Sequence, residues 1–177
     1  MEDCFEVGET TFIKEMAQRL IKQLEQEVAL LEEEIDRIFA SMGSWQMNYQ
    51  LIQTIKGIGP VLAKYLMIYT ENFTRFSCAK KFACYAGIAP FEYSSGSSVK
   101  GRTRVHRMAN KHLKSLLNMS ALSVIRIRGE YKQYYERRTE EGKNKMSTLN
   151  IIRNKLVLRV FAVVKRQTPY VDLAVFA

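Results

Sequence analysis

The amino-acid sequence predicts an all-α protein, made of a long N-terminal helix of coiled-coil type and a compact helical domain. The first observation is a repeat of apolar residues at alternating spacings of three and four over residues 21–42. The second is helical spacing of apolar residues in two later segments, residues 108–128 and 147–165. The third is that strand-type alternation is almost absent from the chain. Since 47% of the 177 residues are hydrophobic, the chain also has enough apolar side chains to form a core.

Residues 11–44 are predicted to form the long helical arm, with Thr10 or Thr11 as N-cap and Gly43 at its end. The preceding residues 1–10 are acidic and lack a period, so we expect them to be disordered or to mark a boundary. The apolar seam of the arm consists of Ile21, Leu24, Val28, Leu31, Ile35, Ile38 and Met42. A coiled coil that joins copies of the chain into a homo-oligomer fits this pattern. One amphipathic helix packed on its own domain fits it as well.

A glycine turn between two short predicted helices follows the arm. Gly57 and Gly59 lie in the turn, and Pro60 occupies the first position of the second helix, where its missing N–H is not needed. Glycines permit a tight turn and leave backbone amides uncovered at a helix N-terminus, which suits a phosphate oxygen. With Lys56 and Lys64 beside it, the segment resembles a helix-hairpin-helix motif that binds the DNA backbone. A plain turn between two helices is the alternative.

A loop rich in serine and glycine is expected over residues 91–107, after a short helix that packs its aromatic side chains inward. Four serines and two glycines in this stretch argue against a regular element. Six basic residues occur within fifteen positions: Lys100, Arg102, Arg104, Arg107, Lys111 and Lys114. Arginine offers the bidentate geometry that phosphate favours, so these bases, together with Gly96 and Asn110, are predicted to bind phosphate.

Charge is distributed unevenly along the chain. Residues 1–44 contain eleven acidic and four basic residues, whereas residues 45–177 contain seven acidic and twenty-three basic ones. A basic domain with these motifs favours DNA as the partner.

The sequence indicates a cytoplasmic protein with reduced thiols. It has three scattered cysteines, no leader and no run of 18 consecutive apolar residues. His106 and His112 lie among bases that would repel a divalent metal, so no metal site is expected in this chain.

The order of these motifs is distinctive. The glycine turn is followed by the sequence YAGIAP at residues 85–90, by Ser95 with Gly96, and by RNKL at residues 153–156. This order resembles the C-terminal region of insertion-sequence transposases of families 110, 116 and 902, the group that includes the pilin-gene invertase. The resemblance covers residues 48–168, about two thirds of the chain.

The resemblance implies DNA transposition and recombination, with Ser95 as the nucleophile for strand cleavage and exchange; Ser94 and Ser98 are the nearest alternatives. Family members carry four metal-binding acids in an N-terminal domain similar to Holliday-junction resolvases, and we expect no such domain within these 177 residues. We therefore expect no cofactor in this chain, Mg²⁺ only together with that domain, and no DNA cleavage by this chain alone. Family members act as multimers and some use a structured RNA, so a guide RNA is a candidate partner. One departure is Ala109 before Asn110, where the family usually has glycine.

Two other functions fit the same residues. In the first, the chain is a non-catalytic helix-hairpin-helix module that binds DNA, so Ser95 can be changed without effect while Arg104 and Arg107 cannot. In the second, the chain is an interaction protein whose acidic arm is the working part. That function predicts self-association and negligible affinity for DNA.

Overall fold

A computed structural model describes residues 3–89, 94–95, 99–100 and 109–171, with the backbone alone for residues 3–10 and for the two short strands. Within these residues the chain forms seven helices and one ladder of two short strands, which confirms the all-α class. The elements are α1 (Asp3–Ser41), α2 (Gly43–Gln53), α3 (Pro60–Thr70), α4 (Ala79–Tyr85), β1 (Ser94–Ser95), β2 (Val99–Lys100), α5 (Lys111–Arg126), α6 (Glu130–Glu140) and α7 (Lys145–Arg166). The chain divides into two compact units, Met1–Gln46 and Met47–Ala177.

The first unit is dominated by α1, most of whose described large apolar side chains are exposed, whereas Phe39 is buried. The exposed side chains include Phe12, Ile13, Met16, Leu20, Ile21, Leu24, Val28, Leu30, Leu31 and Ile38. The helix begins at Asp3, before the predicted start at Thr11, which differs from the disordered segment expected at residues 1–10. Acidic residues are favourable in the first turns of a helix, because its N-terminus carries partial positive charge, so an acidic composition does not oppose helix formation here. The helix ends at Ser41, just before Gly43.

The core of the second unit lies between α5 and α7, which pack extensively against each other. The buried side chains of this pair include Leu113, Leu117, Ala121, Ile152, Leu156 and Val160. Helix α4 joins the core through Phe82, whose ring lies 5.6 Å from that of Phe161 between centroids. Full burial of one such side chain stabilises the fold by about 1.5–3 kcal/mol. The predicted inward packing of the aromatic residues before the serine loop is therefore found.

Helices α2 and α3 form the predicted pair around the glycine turn. A polar chain ties their far ends to the end of α7. Asn48 Nδ2 donates to Asn72 Oδ1 at 2.7 Å, and Gln167 Nε2 donates to Asn48 Oδ1 at 2.8 Å. The hairpin is thus fixed to the core on two sides. These hydrogen bonds hold its open end, and a hydrogen bond from Ser120 to Gly57 holds its turn. Among the described helices, none is both long enough and apolar enough to cross a membrane.

Candidate nucleic-acid interface

The serine loop leaves the fold through a tight turn at the end of α4. Gly87 has a φ of +67°, a conformation that glycine adopts without strain. The chain reverses there because the amides of Ile88 and Ala89 both donate to the Ala83 carbonyl, at 3.0 and 3.2 Å. The YAGIAP sequence therefore encodes a helix stop, and this stop directs the chain into the loop.

The two ends of the loop are tied together. Asn110, at the exit, donates its backbone N–H to the Tyr85 carbonyl at 2.9 Å, and its Nδ2 lies 3.4 Å from the Tyr85 hydroxyl. On the entry side, Asn150 of α7 donates from Nδ2 to the Ile88 carbonyl at 2.8 Å. The segment between residues 89 and 110 consequently begins and ends at one place on the core.

Asn110 is also the N-cap of α5, because its Oδ1 accepts a hydrogen bond of 3.0 Å from the Leu113 N–H. This use of the side chain explains why asparagine suits the position. Its predicted contact with phosphate stays a prediction. Lys111, the next residue, is exposed in the first turn of α5, and that turn contains no acidic residue.

Within the loop, β1 and β2 form an antiparallel ladder in which Ser94 pairs with Lys100 and Ser95 with Val99. The expectation that the serines and glycines exclude a regular element is therefore wrong at these four positions. A ladder uses backbone N–H and C=O groups, which serine supplies as well as any other residue. The predicted residues Gly96, Ser98, Arg102, Arg104 and Arg107 lie outside the described residues.

An aromatic row fixes Tyr85 at the base of the loop. Its ring lies 5.3 Å from that of Phe76 and 6.2 Å from that of Tyr69, and the Arg75 guanidinium lies 5.3 Å from its centroid. Such contacts add about 0.5–1.5 kcal/mol each beyond burial. The groups of Tyr85 that hold Asn110 are therefore rigidly placed.

Gly57, in the glycine turn, packs against α5. Its φ is +91°, and a Cβ atom at this position would lie 2.1 Å from Val124 Cγ1. Ser120 Oγ donates to the Gly57 carbonyl at 2.6 Å. The sequence predicted a surface glycine that binds phosphate. In the structure a side chain at position 57 would clash with α5, and this clash explains why the residue is glycine.

Gly59 differs from Gly57. It is exposed, a Cβ atom there would meet nothing within 4 Å, and it is the N-cap of α3 without a side-chain cap. Pro60 is the first residue of the helix, as predicted. The amides of the first turn lack acceptors within the helix, so this N-terminus can receive an anion. Of the two glycines, Gly59 is therefore the better placed for phosphate.

The predicted site residues fall into two groups along α5. The loop ends meet the N-terminus of the helix at Asn110, whereas the glycine turn meets it at Ser120. Ten residues of helix separate these contacts by about 15 Å. Lys56 belongs to the second group and is exposed, while Lys64 is half-buried on α3. Among the described residues, no three His, Cys, Asp or Glu side chains are grouped closely enough to hold a metal ion.

The sequence patterns did not indicate that two arginines and a tyrosine lie near the glycine turn. Arg128, Arg159 and Tyr170 line one surface depression together with Lys56. They come from three separate segments, so no local spacing relates them. Only their membership of the basic residues 45–177 could have drawn attention to them.

Residues 49–136 match the family described as Transposase IS116/IS110/IS902 family. The chain is 30% identical to the pilin gene-inverting protein of Moraxella lacunata over 128 residues, which cover 71% of this chain and 40% of the relative. It is 26% identical to the pilin gene-inverting protein of Moraxella bovis over 160 residues, 90% of this chain and 50% of the relative. An uncharacterized 43.6 kDa protein of insertion element IS110 from Streptomyces coelicolor is 28% identical over 120 residues, 68% of this chain and 29% of the relative. The matches thus span half of these curated relatives or less. The family match contains the glycine turn and both ends of the serine loop, and it stops before α7.

Proposed function

Because the chain carries the domain of the Transposase IS116/IS110/IS902 family over residues 49–136, we propose that it is the DNA-binding part of a transposase or site-specific recombinase. In this proposal Ser95 supplies the nucleophile for DNA strand cleavage and exchange. The names of the two Moraxella relatives, which invert a pilin gene, favour DNA as the partner.

One observation carries the assignment of Ser95. The loop that contains it is tied at both ends, through Asn110 to Tyr85 and through Asn150 to Ile88, and β1 pairs Ser95 with Val99. A nucleophile must be held close to its reaction geometry, because misplacement by an ångström costs a large part of the rate. A solvated linker needs no such attachment, so the attachment supports a loop with a positioned group.

The proposed reaction is an in-line displacement at a phosphodiester. Ser95 Oγ forms a bond to phosphorus and loses its proton, while the bond from phosphorus to one strand oxygen breaks and that oxygen leaves as a hydroxyl. Arg102, Arg104 and Arg107 neutralise the charge that develops on the phosphoryl oxygens. Attack by the released hydroxyl of another strand on the phosphoserine completes the exchange and restores the serine.

The DNA contacts proposed for this chain occupy the two zones along α5. One zone is the loop, with Gly96, Lys100 and the three arginines, together with Lys111 at the start of α5. The other is the glycine turn, with Lys56 and the uncapped N-terminus of α3 at Gly59. Two zones about 15 Å apart suit a duplex, whose strands place successive phosphates several ångströms apart.

A second candidate function is a non-catalytic helix-hairpin-helix module that binds DNA. It is favoured by Gly59 and Pro60, since an exposed and uncapped helix N-terminus binds phosphate without any serine chemistry. The exposed apolar row of α1 supports a further part of the proposal, that copies of the chain associate through residues 11–44. A guide RNA stays a candidate partner of the basic domain.

The deciding experiment uses a full-length relative, the pilin gene-inverting protein of Moraxella lacunata, with the serine that matches Ser95 changed to alanine. We expect recombination to be abolished and DNA binding to be retained, because the hydroxyl forms the covalent bond while the cations hold the backbone. Alanine replacement of another residue in the same loop of the relative serves as the control. Recombination at the normal level in the first variant would favour the non-catalytic module.

A further inference from the structure

The turn between α5 and α6 forms a depression with the glycine turn. Because Gly57 packs on Ser120 and Val124, Lys56 is brought beside residues 127–131. The depression narrows to a cavity of about 10 Å³, the size of one water molecule. It adjoins a wider groove of about 680 Å³, and Arg159 and Tyr170 line both.

Arg159 is fixed in orientation at the wall of this depression. Its guanidinium carbon lies 4.5 Å from the Tyr131 ring centroid and 5.0 Å from that of Tyr170. Its Nη2 donates to Glu130 Oε2 at 2.5 Å, which leaves further N–H groups of the fork for another acceptor. Lys155 Nζ also lies 4.0 Å from the Glu130 carboxylate. Two cations thus neutralise the one acidic side chain at the site.

The hydroxyl of Tyr131 is a buried polar group at this site. The residue is 6% exposed, and its buried oxygen makes no hydrogen bond of normal geometry among the described residues, although the Arg159 side chain lies close enough to lower its pKa. A buried hydroxyl without a partner is rare in native proteins and calls for an explanation. Burial raises the pKa of Tyr131 well above its ordinary value despite the nearby Arg159 cation, so the group stays a proton donor at neutral pH.

The N-terminus of α6 points to the same class of ligand. Gly129 is its N-cap and provides no side-chain cap, so the first amides of this 11-residue helix need other acceptors. Arg128 is exposed beside it and forms no ion pair among the described residues. The helix end, two arginines and a proton-donating tyrosine all favour an acceptor with negative charge.

We propose that Tyr131, Arg128 and Arg159, with Lys56 from the glycine turn, form a phosphate-binding site for the backbone of DNA at the start of α6. The site lies in the zone of the glycine turn and is separate from the serine loop. It rests on the DNA binding proposed above and adds residues that no sequence motif indicated. A phosphodiester at the rim pairs with Arg128, and the Tyr131 hydroxyl donates to it through one water molecule, for which the cavity of about 10 Å³ has room.

The test measures binding of the whole 177-residue chain to duplex DNA by fluorescence anisotropy at two salt concentrations. Tyr131→Phe removes only the hydroxyl, so affinity should fall about tenfold, the effect of one hydrogen bond to a charged group. The melting temperature should change little, because the hydroxyl makes no hydrogen bond of normal geometry in the free chain. Arg128→Gln should weaken binding and flatten the logarithmic salt slope by about 0.9. Arg137→Gln, on the exposed side of α6, is the control and should change little.

Three results would overturn the inference in different ways. If the wild-type chain binds DNA and both variants match the Arg137→Gln control, the site is wrong while the proposed DNA binding survives. If the wild-type chain binds no DNA, both proposals fail. If inorganic phosphate raises the melting temperature of the wild type but not of Tyr131→Phe, and DNA affinity is the same in both, the ligand is free phosphate and not DNA.

Discussion

Ser120 Oγ donates a hydrogen bond of 2.6 Å to the Gly57 carbonyl, across 63 residues of sequence. Together with the contact of Gly57 on Val124, this bond holds the glycine turn against the middle of α5. The turn is therefore a packed part of the core at Gly57 and a free surface at Gly59. Each of the two glycines can be tested separately.

Replacement of Gly57 by alanine should destabilise the chain by about 2–4 kcal/mol, since the new Cβ clashes with Val124 and the backbone is left-handed there. Urea unfolding followed by circular dichroism measures the loss. Gly59→Ala is the matched control, because its φ is −81° and its Cβ would meet nothing within 4 Å. Equal stability of the two variants would contradict the packing described for the turn.

Asn110→Ala should loosen the end of the serine loop as well as the start of α5. Loss of an N-cap costs about 1 kcal/mol, and loss of the bond to the Tyr85 hydroxyl should raise mobility of the loop. Limited proteolysis would detect the second effect as faster cleavage between residues 90 and 109. Asn144→Ala removes the N-cap of α7 instead and is the control, because it should not speed cleavage there.

A triple substitution to glutamate in the basic loop should lower the affinity for DNA and reduce the dependence of that affinity on salt. The residues changed are Arg102, Arg104 and Arg107. Each lost phosphate contact flattens the slope of log affinity against log salt by about 0.9. Anisotropy with duplex and four-way-junction DNA at two salt concentrations measures this slope. If the triple variant binds as the wild type does, the basic loop is not the DNA contact and the glycine turn must supply it; if the wild type itself binds no DNA, the acidic arm becomes the working part.

Leu24→Asp with Leu31→Asp should reduce self-association of the chain, because both residues lie on the apolar seam and are exposed in α1. Sedimentation velocity at several concentrations would show a shift toward the monomer. Leu30→Asp is the control, since Leu30 is equally exposed but lies off the seam. A monomeric wild-type chain would remove the case for an oligomer through the arm.

Cys78 should be alkylated at a lower pH than an ordinary cysteine. A hydrogen bond from the Lys81 backbone amide lowers the pKa of its thiol, with a smaller contribution from the Lys80 amide, and the residue is exposed. A lower pKa gives more thiolate at a given pH, so the rate profile with iodoacetamide should shift to lower pH. Peptide mass spectrometry follows Cys78 against the half-buried Cys84, and coincident profiles would contradict the assignment.

Local sequence patterns predicted much of the helical part of the fold. Pro60 marks the start of α3, Gly129 precedes α6, and the apolar spacing of Leu113 and Leu117 places the buried face of α5. These features depend on backbone conformation and on the helical repeat, which neighbouring residues determine. The start of α1 was missed because acidic residues are compatible both with disorder and with the first turns of a helix.

The all-α class, the basic character of residues 45–177 and the motif order typical of the family can all be recognised in the amino-acid sequence. The contacts of the individual site residues become visible only in the folded chain. Gly57 is required by Val124, Asn110 holds Tyr85, and Arg159 meets Tyr131 over distances in sequence that no periodic pattern spans. The reason is physical: a helix repeat constrains residues three or four positions apart, whereas contacts between helices depend on how their whole surfaces pack.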